Sequence, residues 1–404
     1  MNILVFNCGS SSLTFKVFEK KSDEEVEEIL AGKAHRVGVK GSKPSSIEFH
    51  YRGMQDRREA SIPDHGEAAA LVFEKLNEWG ISIDCIGHRW TQAAGFFTTT
   101  WIDKNVLGQL QMLLPVFPIH HPAMLSVIYR SRKTYPDLPQ YVTADGAFHV
   151  TIPPHAYTYP LPREIVGKFG FRKYGFHGLS YQFVIRQTGQ FLQIPLEGLK
   201  IVACHLGTGG SSVVAVKDGR SIDTSMGYTG LPGLVMSTRC GDIDPMLAIY
   251  FMAVFDYRAD DLMELLNKKS GLLGISGFSS DIRDIIQRLN KDRQARLAFD
   301  MYVYRLKKYI GSYVIALEGI DVLVFTDDIG LHNWLVREKV CRDMEWCGIR
   351  LNARANRSAV GNTISVLNSD NSKVKILSMP TEEELVICLE GLKLMRSEKN
   401  VLAV

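Results

Sequence analysis

The sequence lacks most of the features that mark specialised protein classes. No C-x-x-C pair occurs among its seven cysteines (Cys8, Cys85, Cys204, Cys240, Cys341, Cys347 and Cys388), which excludes a zinc-ribbon or thioredoxin-type reading. An odd number of scattered thiols fits a reducing, cytoplasmic compartment. No run of about 18 apolar residues is present, because charges such as Glu318 and Asp321 interrupt the best candidate. The start, MNILVFNCGSSS, has no basic stretch leading into an apolar one, so no signal peptide is expected. Low-complexity blocks and long like-charge runs are missing too. Finally, neither sign of charge dominates. Lys plus Arg is 47 and Asp plus Glu is 44, a net charge of +3. That excludes a general electrostatic attraction to nucleic acid or an anionic membrane. Any anion this chain binds must be gripped locally.

What is present is a chain of 404 residues, 46% hydrophobic and 23% charged, enough for two or three domains with full-sized cores. Its most informative feature is an internal echo. Residues 2–18 read NILVFNCGSSSLTFKVF and residues 200–216 read KIVACHLGTGGSSVVAV. Each is an apolar strand, a polar residue (Asn7, His205), a Gly/Ser turn and a second β-rich strand. The copies stand about half a chain apart, which suggests two related domains and not a short-period solenoid. Small residues let backbone N–H groups approach an anion, and hydroxyls add donors, so such a turn suits phosphate. A plain β-hairpin would use the same residues. Two matched copies favour the phosphate reading, since two such loops can serve one polyphosphate.

The rest alternates strand and helix. Ala69, Val72, Phe73 and Leu76 predict a helix from Asp64 to Gly80, followed by a strand over Ile81–Ile86. A long helix is expected from about Ala295 to Leu317, then a strand over Val322–Phe325. Pro380-Thr381-Glu382-Glu383-Glu384 opens a last helix, with Thr381 and Glu384 at capping-box spacing and Glu383 left to point elsewhere. The pattern is α/β. Strand ends are where ligands lie in such sheets. Gly87-His88-Arg89, Pro118-Ile119-His120-His121-Pro122, Asp145 after Tyr141-Val142-Thr143, His177 in Tyr174–Gly178, and Arg239 in Ser237–Asp242 all fall near strand ends or tight turns. Singly, each has an ordinary structural reading: a surface ion pair, a satisfied histidine, a turn aspartate. Adjacent histidines are also a poor chelating pair.

Taken together and in order, NCGSSS (7–12), GHR (87–89), HHPA (120–123), YGFHGLS (174–180), CHLGTGGSS (204–212), DTSMG (223–227), STRCGDIDP (237–245), SGLLGISGFSSDIRD (270–284) and VREKVC (336–341) resemble the acetokinase family, within the acetate and sugar kinase/actin superfamily. The resemblance covers Asn7 to Glu383. It implies two duplicated ribonuclease-H-like (actin-like) domains flanking a central cleft: 1–147 with the C-terminal helix 384–404, and 148–383. It implies a homodimer formed through the C-terminal domain, small-molecule substrates, and reversible in-line phosphoryl transfer between a short carboxylate and a phosphate donor. It also implies site roles. Asn7 and Glu383 would belong to a Mg2+ shell. Arg89 and Arg239 would hold the carboxylate and the transferring phosphoryl group, with Asp145 the catalytic carboxylate, His177 a transition-state stabiliser and His120 lining the site. Ser10, Ser12 and Thr14 would serve the first phosphate loop, and His205, Leu206, Gly207, Thr208 and Gly209 the second. Asp281, Ile282 and Arg283, with Asp328, Ile329 and Gly330, would lie at the nucleoside. Arg89, Thr91, Ile119, Phe176 and Gly230 would surround the acceptor.

The chemistry agrees with these residue types. A carboxylate acceptor, with a reference pKa of about 4, is ionised at neutral pH and needs no general base. It needs relief from repulsion by the incoming phosphoryl group, which arginines and a metal ion supply. Asp145 therefore reads better as an orienting group than as a base.

Four departures from the family pattern stand out. Thr14 replaces the usual Lys after the first turn and Thr208 the usual Asn in the second. Asp327-Asp328-Ile329-Gly330-Leu331-His332 stands for A-G-I-G-E-N, and Arg89-Trp90-Thr91-Gln92-Ala93-Ala94-Gly95 for R-V-V-H-G-G-E. Asp328 adds a side chain and a negative charge beside the adenosine, and position 14 has lost a cation. Both predict poor ATP binding and a pyrophosphate/phosphate donor pair, and HLGTGGSS and FTD-x-x-GL look like the pyrophosphate-linked branch. If Asp328 turns outward, ATP is the donor. Thr91 and Gly230, where valine and proline are usual, predict a larger, more polar acceptor pocket that admits propionate or butyrate. Two other classes compete. A catalytically inactive binding homologue predicts loss of Arg89, Asp145, His177, Arg239 and Glu383, yet all stand. A sugar or glycerol kinase needs a positioned base to deprotonate a hydroxyl, which suits this arginine-rich set less well.

Overall fold

The computed structural model describes residues 1–22, 25–39, 44–91, 98–114 and 120–402. The chain forms two compact units, Met1–Ala147 with Glu382–Val404, and Phe148–Thr381. Each is built on one mixed sheet. The first unit contains β1 (Asn2–Cys8), β2 (Ser12–Lys20), β3 (Val26–His35), β4 (Ser45–Tyr51), β5 (Met54–Ala60), β6 (Cys85–Trp90), β7 (Thr100–Trp101) and β8 (Gln140–Ala144). Its order is β5-β4-β3-β2-β1-β6-β8-β7. The second contains β9 (Lys200–Leu206), β10 (Ser211–Lys217), β11 (Arg220–Thr224), β12 (Val322–Thr326), β13 (Ser365–Val366) and β14 (Lys375–Ser378), ordered β11-β10-β9-β12-β14-β13.

The internal echo is topological as well as sequential. In the first unit β1 runs antiparallel to β2, β2 antiparallel to β3, and β1, β6 and β8 are parallel. In the second, β9, β10 and β11 repeat the antiparallel trio, and β9, β12 and β14 repeat the parallel one. Asn7 therefore corresponds to His205, each near the end of a central strand. Both turns close the same way. Gly9 N–H donates to the Ser12 carbonyl at 2.9 Å, and Gly207 N–H to the Gly210 carbonyl at 3.0 Å.

Central strands buried on both faces read as continuous apolar runs. Side chains of β9 alternate between two layers. Val202, Cys204 and Leu206 pack with the long helix Arg293–Ala316, while Ile201 and Ala203 pack with helix Gly178–Leu192. In the first unit Leu4, Phe6 and Cys8 meet helices His65–Glu78 and His121–Thr134. The C-terminal helix Glu383–Leu402 also lies on this sheet, where the Tyr141 hydroxyl of β8 donates to the Ile387 carbonyl at 3.0 Å. Among the described residues, no helix is long and apolar enough to cross a membrane.

The predicted helices form at their predicted places, with Asp64 and Asp292 as N-caps whose side chains accept backbone N–H groups. Two local expectations are corrected. The strand expected over Ile81–Ile86 runs instead over Cys85–Trp90, because parallel pairing with β1 begins at Ile3 opposite Cys85. Gly87-His88-Arg89 is thus inside the strand, not after it. The Thr381–Glu384 capping box does not form. Thr381 Oγ1 has no hydrogen-bond partner among the described residues, and Glu384 reaches Asn7 instead.

Candidate active site

Each unit gathers one charged cluster at the ends of its central strands. In the first, Arg89 stands near the end of β6 and Asp145 immediately follows β8. Asp145 is fully buried and grips Arg89 with both oxygens: Arg89 Nη2 donates to Oδ2 at 2.7 Å and Nε to Oδ1 at 3.3 Å. Arg89 Nη1 donates to Asn7 Oδ1 at 2.9 Å and lies 3.5 Å from Glu383. Asn7 Nδ2 in turn donates to Glu383 at 2.9 Å and Glu384 at 2.8 Å. Burial works against the Arg89 charge, but Asp145 and Glu383 outweigh it and raise its pKa. The Glu384 carboxyl is pushed above its ordinary range by burial first and then by the neighbouring Glu383.

In the second unit, His177 opens helix Gly178–Leu192 from the left-handed region, with φ of 58°. Its Nδ1 is 2.8 Å from Ser212 Oγ, which the Tyr181 hydroxyl also meets at 2.5 Å. The His177 ring stacks on that of His205, centroids 4.0 Å apart and planes 21° from parallel. His205 Nδ1 is 2.9 Å from Ser180 Oγ and its Nε2 is 3.0 Å from Asp327 Oδ2. Arg239 Nη1 donates to the Gly230 carbonyl at 2.7 Å and Nη2 to the Gly209 carbonyl at 2.6 Å. Burial lowers its pKa to about 10, which leaves it charged at neutral pH. A Cβ on Gly210 would lie 2.4 Å from Arg239 Nη2 and 3.4 Å from His177 Nε2, so both side chains close on this glycine.

The remaining candidates divide. Asp281 caps the short helix Ile282–Gln287 and binds Arg283, accepting from Nη2 at 2.6 Å and Nε at 2.9 Å. Arg283 Nη1 is also 3.9 Å from Asp328. These three charges form one group. Ile282, Ile329 and Leu206 place their side chains in the core, each in the apolar layer against helix Arg293–Ala316, which leaves only their backbone for a ligand. Gly330 is buried, and its carbonyl accepts from Arg337. Thr14 stands opposite Asn7 in the hairpin, Ser12 opens β2, and Ser10, Thr208 and Gly209 are exposed at the two turns. Phe176 is buried and His120 precedes helix His121–Thr134.

Two of the residues expected around the acceptor have close neighbours of their own. Thr91 is buried with its hydroxyl 3.0 Å from His121 Nε2. A Cβ built on Gly230 would lie 2.7 Å from Arg239 Nη1, so the glycine makes room for the arginine. Ile119, like Gln92–Gly95, lies outside the described residues. Sequence reasoning missed Glu384, Ser180, Ser212 and Asp327. The serines lie inside quoted motifs, and Asp327 sits beside the aspartate that drew attention; Glu384 was hidden by an apparent cap.

Similarity to known proteins accords with this geometry. The model of the acetokinase family matches residues 2–389. An acetate kinase from Caldicellulosiruptor saccharolyticus is 41% identical over 405 residues, 98% of this chain and 100% of the relative. The solved acetate kinase of Entamoeba histolytica superposes with a TM-score of 0.86 at 41% identity, covering 97% of this chain and 99% of the other. A propionate kinase from Francisella tularensis superposes with a TM-score of 0.87 at 32% identity, covering 96% and 98%. Fold and site chemistry thus define a phosphotransferase with a carboxyl group as acceptor. The chain belongs to the acetokinase family, and its activity is of the acetate kinase type.

Proposed function

We propose that the chain transfers a phosphoryl group reversibly between acetate and acetyl phosphate, with pyrophosphate/phosphate as the donor pair. The Asp281–Arg283–Asp328 group carries the donor reading: it sets three charged side chains where the family resemblance puts a neutral nucleoside. Thr14, in place of a lysine, removes a cation that a triphosphate would use. A second reading, ATP as donor, rests on the exposure of Arg283 and its long contact to Asp328, which let that side chain turn aside. The carboxylate oxygen forms the new P–O bond, and the bridging oxygen of the donor leaves with its electron pair. Positioning and charge compensation supply most of the catalysis.

Arg89 compensates the charge of the carboxylate, and Asp145 aims it bidentately. Arg239 and His177 meet the phosphoryl oxygens, and His120 lines the site. We assign Mg2+ to Asn7 and Glu383. Glu383 and Glu384 crowd one amide, a repulsion that a cation relieves. Among the described residues there is no group of three or more His, Cys, Asp or Glu that could hold a metal ion, so Asn7 and Glu383 would hold it with few protein ligands. When bound, it neutralises donor phosphate charge. The exposed apolar helix Pro245–Phe255 supports a homodimer, and free cysteines support a cytoplasmic setting.

Hydroxamate trapping of the acyl phosphate, with acetate and either pyrophosphate or ATP, tests this reading. Product with pyrophosphate and little with ATP is expected. Ordinary ATP turnover overturns the donor assignment, and no trapped product with any short carboxylate overturns the acceptor. Arg239→Ala should lower kcat about a hundred- to a thousandfold.

A further inference from the structure

Asp327 follows β12 with a backbone φ of 63°, in the left-handed region that side chains enter at a cost and that Asp tolerates better than most. Held there, its carboxylate turns toward the second Gly/Ser turn. A Cβ on Gly207 would come 2.1 Å from Asp327 Oδ2, so the turn needs glycine at this point to admit the carboxylate. An acid beside an anion-binding turn opposes the anion unless it acts on something else. Here it acts on His205, whose Nε2 lies 3.0 Å from Oδ2. The other nitrogen of His205 meets Ser180, and its ring face lies on His177. His177 is anchored through Nδ1 to Ser212, and its Nε2 lies toward Gly210 and Arg239. Strained backbone of this kind persists where surrounding structure over-determines it, and a glycine gap and two stacked rings do so here.

We propose that Asp327 is a positioning residue for phosphoryl transfer: it accepts the Nε2–H of His205, fixes the tautomer and plane of that imidazole, and through the stacked rings sets the aim of His177. This role rests on the reading of His177 as a group that meets the phosphoryl oxygens. Without the carboxylate, His205 can move its proton to Nδ1 and donate to Ser180, and the stack loses its fixed edge. Groups that orient a functional histidine are worth about ten- to a hundredfold in activity, and more where the wrong tautomer results.

The test uses the full chain, four single variants and one double variant. Asp327→Gly removes the acceptor while relieving the backbone, and should lower kcat about ten- to a hundredfold with the KM for acetate nearly unchanged. Asp327→Asn keeps an acceptor oxygen and tolerance of the left-handed backbone, and should restore most of that rate. Nitrogen-15 spectra of histidine-labelled protein, with His205→Asn to identify the resonances, should show protonated Nε2 in the parent chain and a shift toward protonated Nδ1 in Asp327→Gly. In combination with His177→Gln, Asp327→Gly should add little, because both act through one ring. Unchanged His205 resonances in Asp327→Gly, an unchanged kcat, or full additivity with His177→Gln would each overturn the role of Asp327. A His177→Gln variant at the parental rate would instead overturn the reading of His177, and the catalytic role of Asp327 with it.

Discussion

His88, His121 and His149 are buried, and desolvation lowers the pKa of each to about 4. Each is satisfied as a neutral ring: His88 by Gln140, His121 by Thr91, and His149 by Ser221 and the Phe176 carbonyl. The unfolded chain protonates these rings near pH 6.5 and the folded chain does not, so the unfolded state binds more protons between the two values. Their contribution is complete above about pH 6.5 and is lost as pH falls toward about 4. Unfolding free energies from urea titrations should fall as pH is lowered across that window, by up to about 1.4 kcal/mol per pH unit for each ring. His88→Gln should flatten the slope; a slope unchanged by the substitution would show that His88 titrates alike in both states. These rings also show why histidine type alone is a weak signal. Of two adjacent imidazoles, His121 packs on Trp90 with ring centroids 4.3 Å apart, a structural task.

At the scale of elements, the short helix Asp327–His332 depends on one buried cation. Arg337 is fully buried and donates to the carbonyls of Gly330 at 2.8 Å and Leu331 at 2.5 Å. It also binds Asn356 Oδ1 at 2.7 Å and the carbonyls of Asn356 at 2.9 Å and Ala359 at 3.1 Å. Carbonyls at a helix end have no partner within the helix, and Arg337 supplies one. Lys cannot reproduce this planar fork. Arg337→Lys should therefore destabilise the protein by about 3 kcal/mol or more, seen as a lowered thermal midpoint. Because the same helix begins at Asp327, the variant should also lose activity well below its melting temperature.

At the scale of the whole molecule, the helix Pro245–Phe255 buries none of its residues within the chain, although it is apolar: Met246, Ile249, Tyr250, Val254 and Phe255 are each more than half exposed. An apolar face of this kind calls for a partner, and a second copy is the occupant proposed above. Sedimentation should find a dimer, and Ile249→Glu should shift it to monomer while leaving each folded unit intact; a monomeric parent chain would overturn the assignment. How much was legible in advance follows the range of the forces involved. Apolar runs, helix caps and the doubled Gly/Ser turn are local patterns, so the sequence by itself determined the α/β character, the duplication and the motif set of the family. Pairing register and side-chain direction depend on residues far apart in the chain. Tertiary structure alone moved Gly87-His88-Arg89 into β6, turned Glu384 from a cap to Asn7, filled the space at Gly230 with Arg239, and drew Ile282 and Ile329 into the core. It also brought the Asp327 carboxylate onto His205, through a left-handed backbone that no local pattern announces.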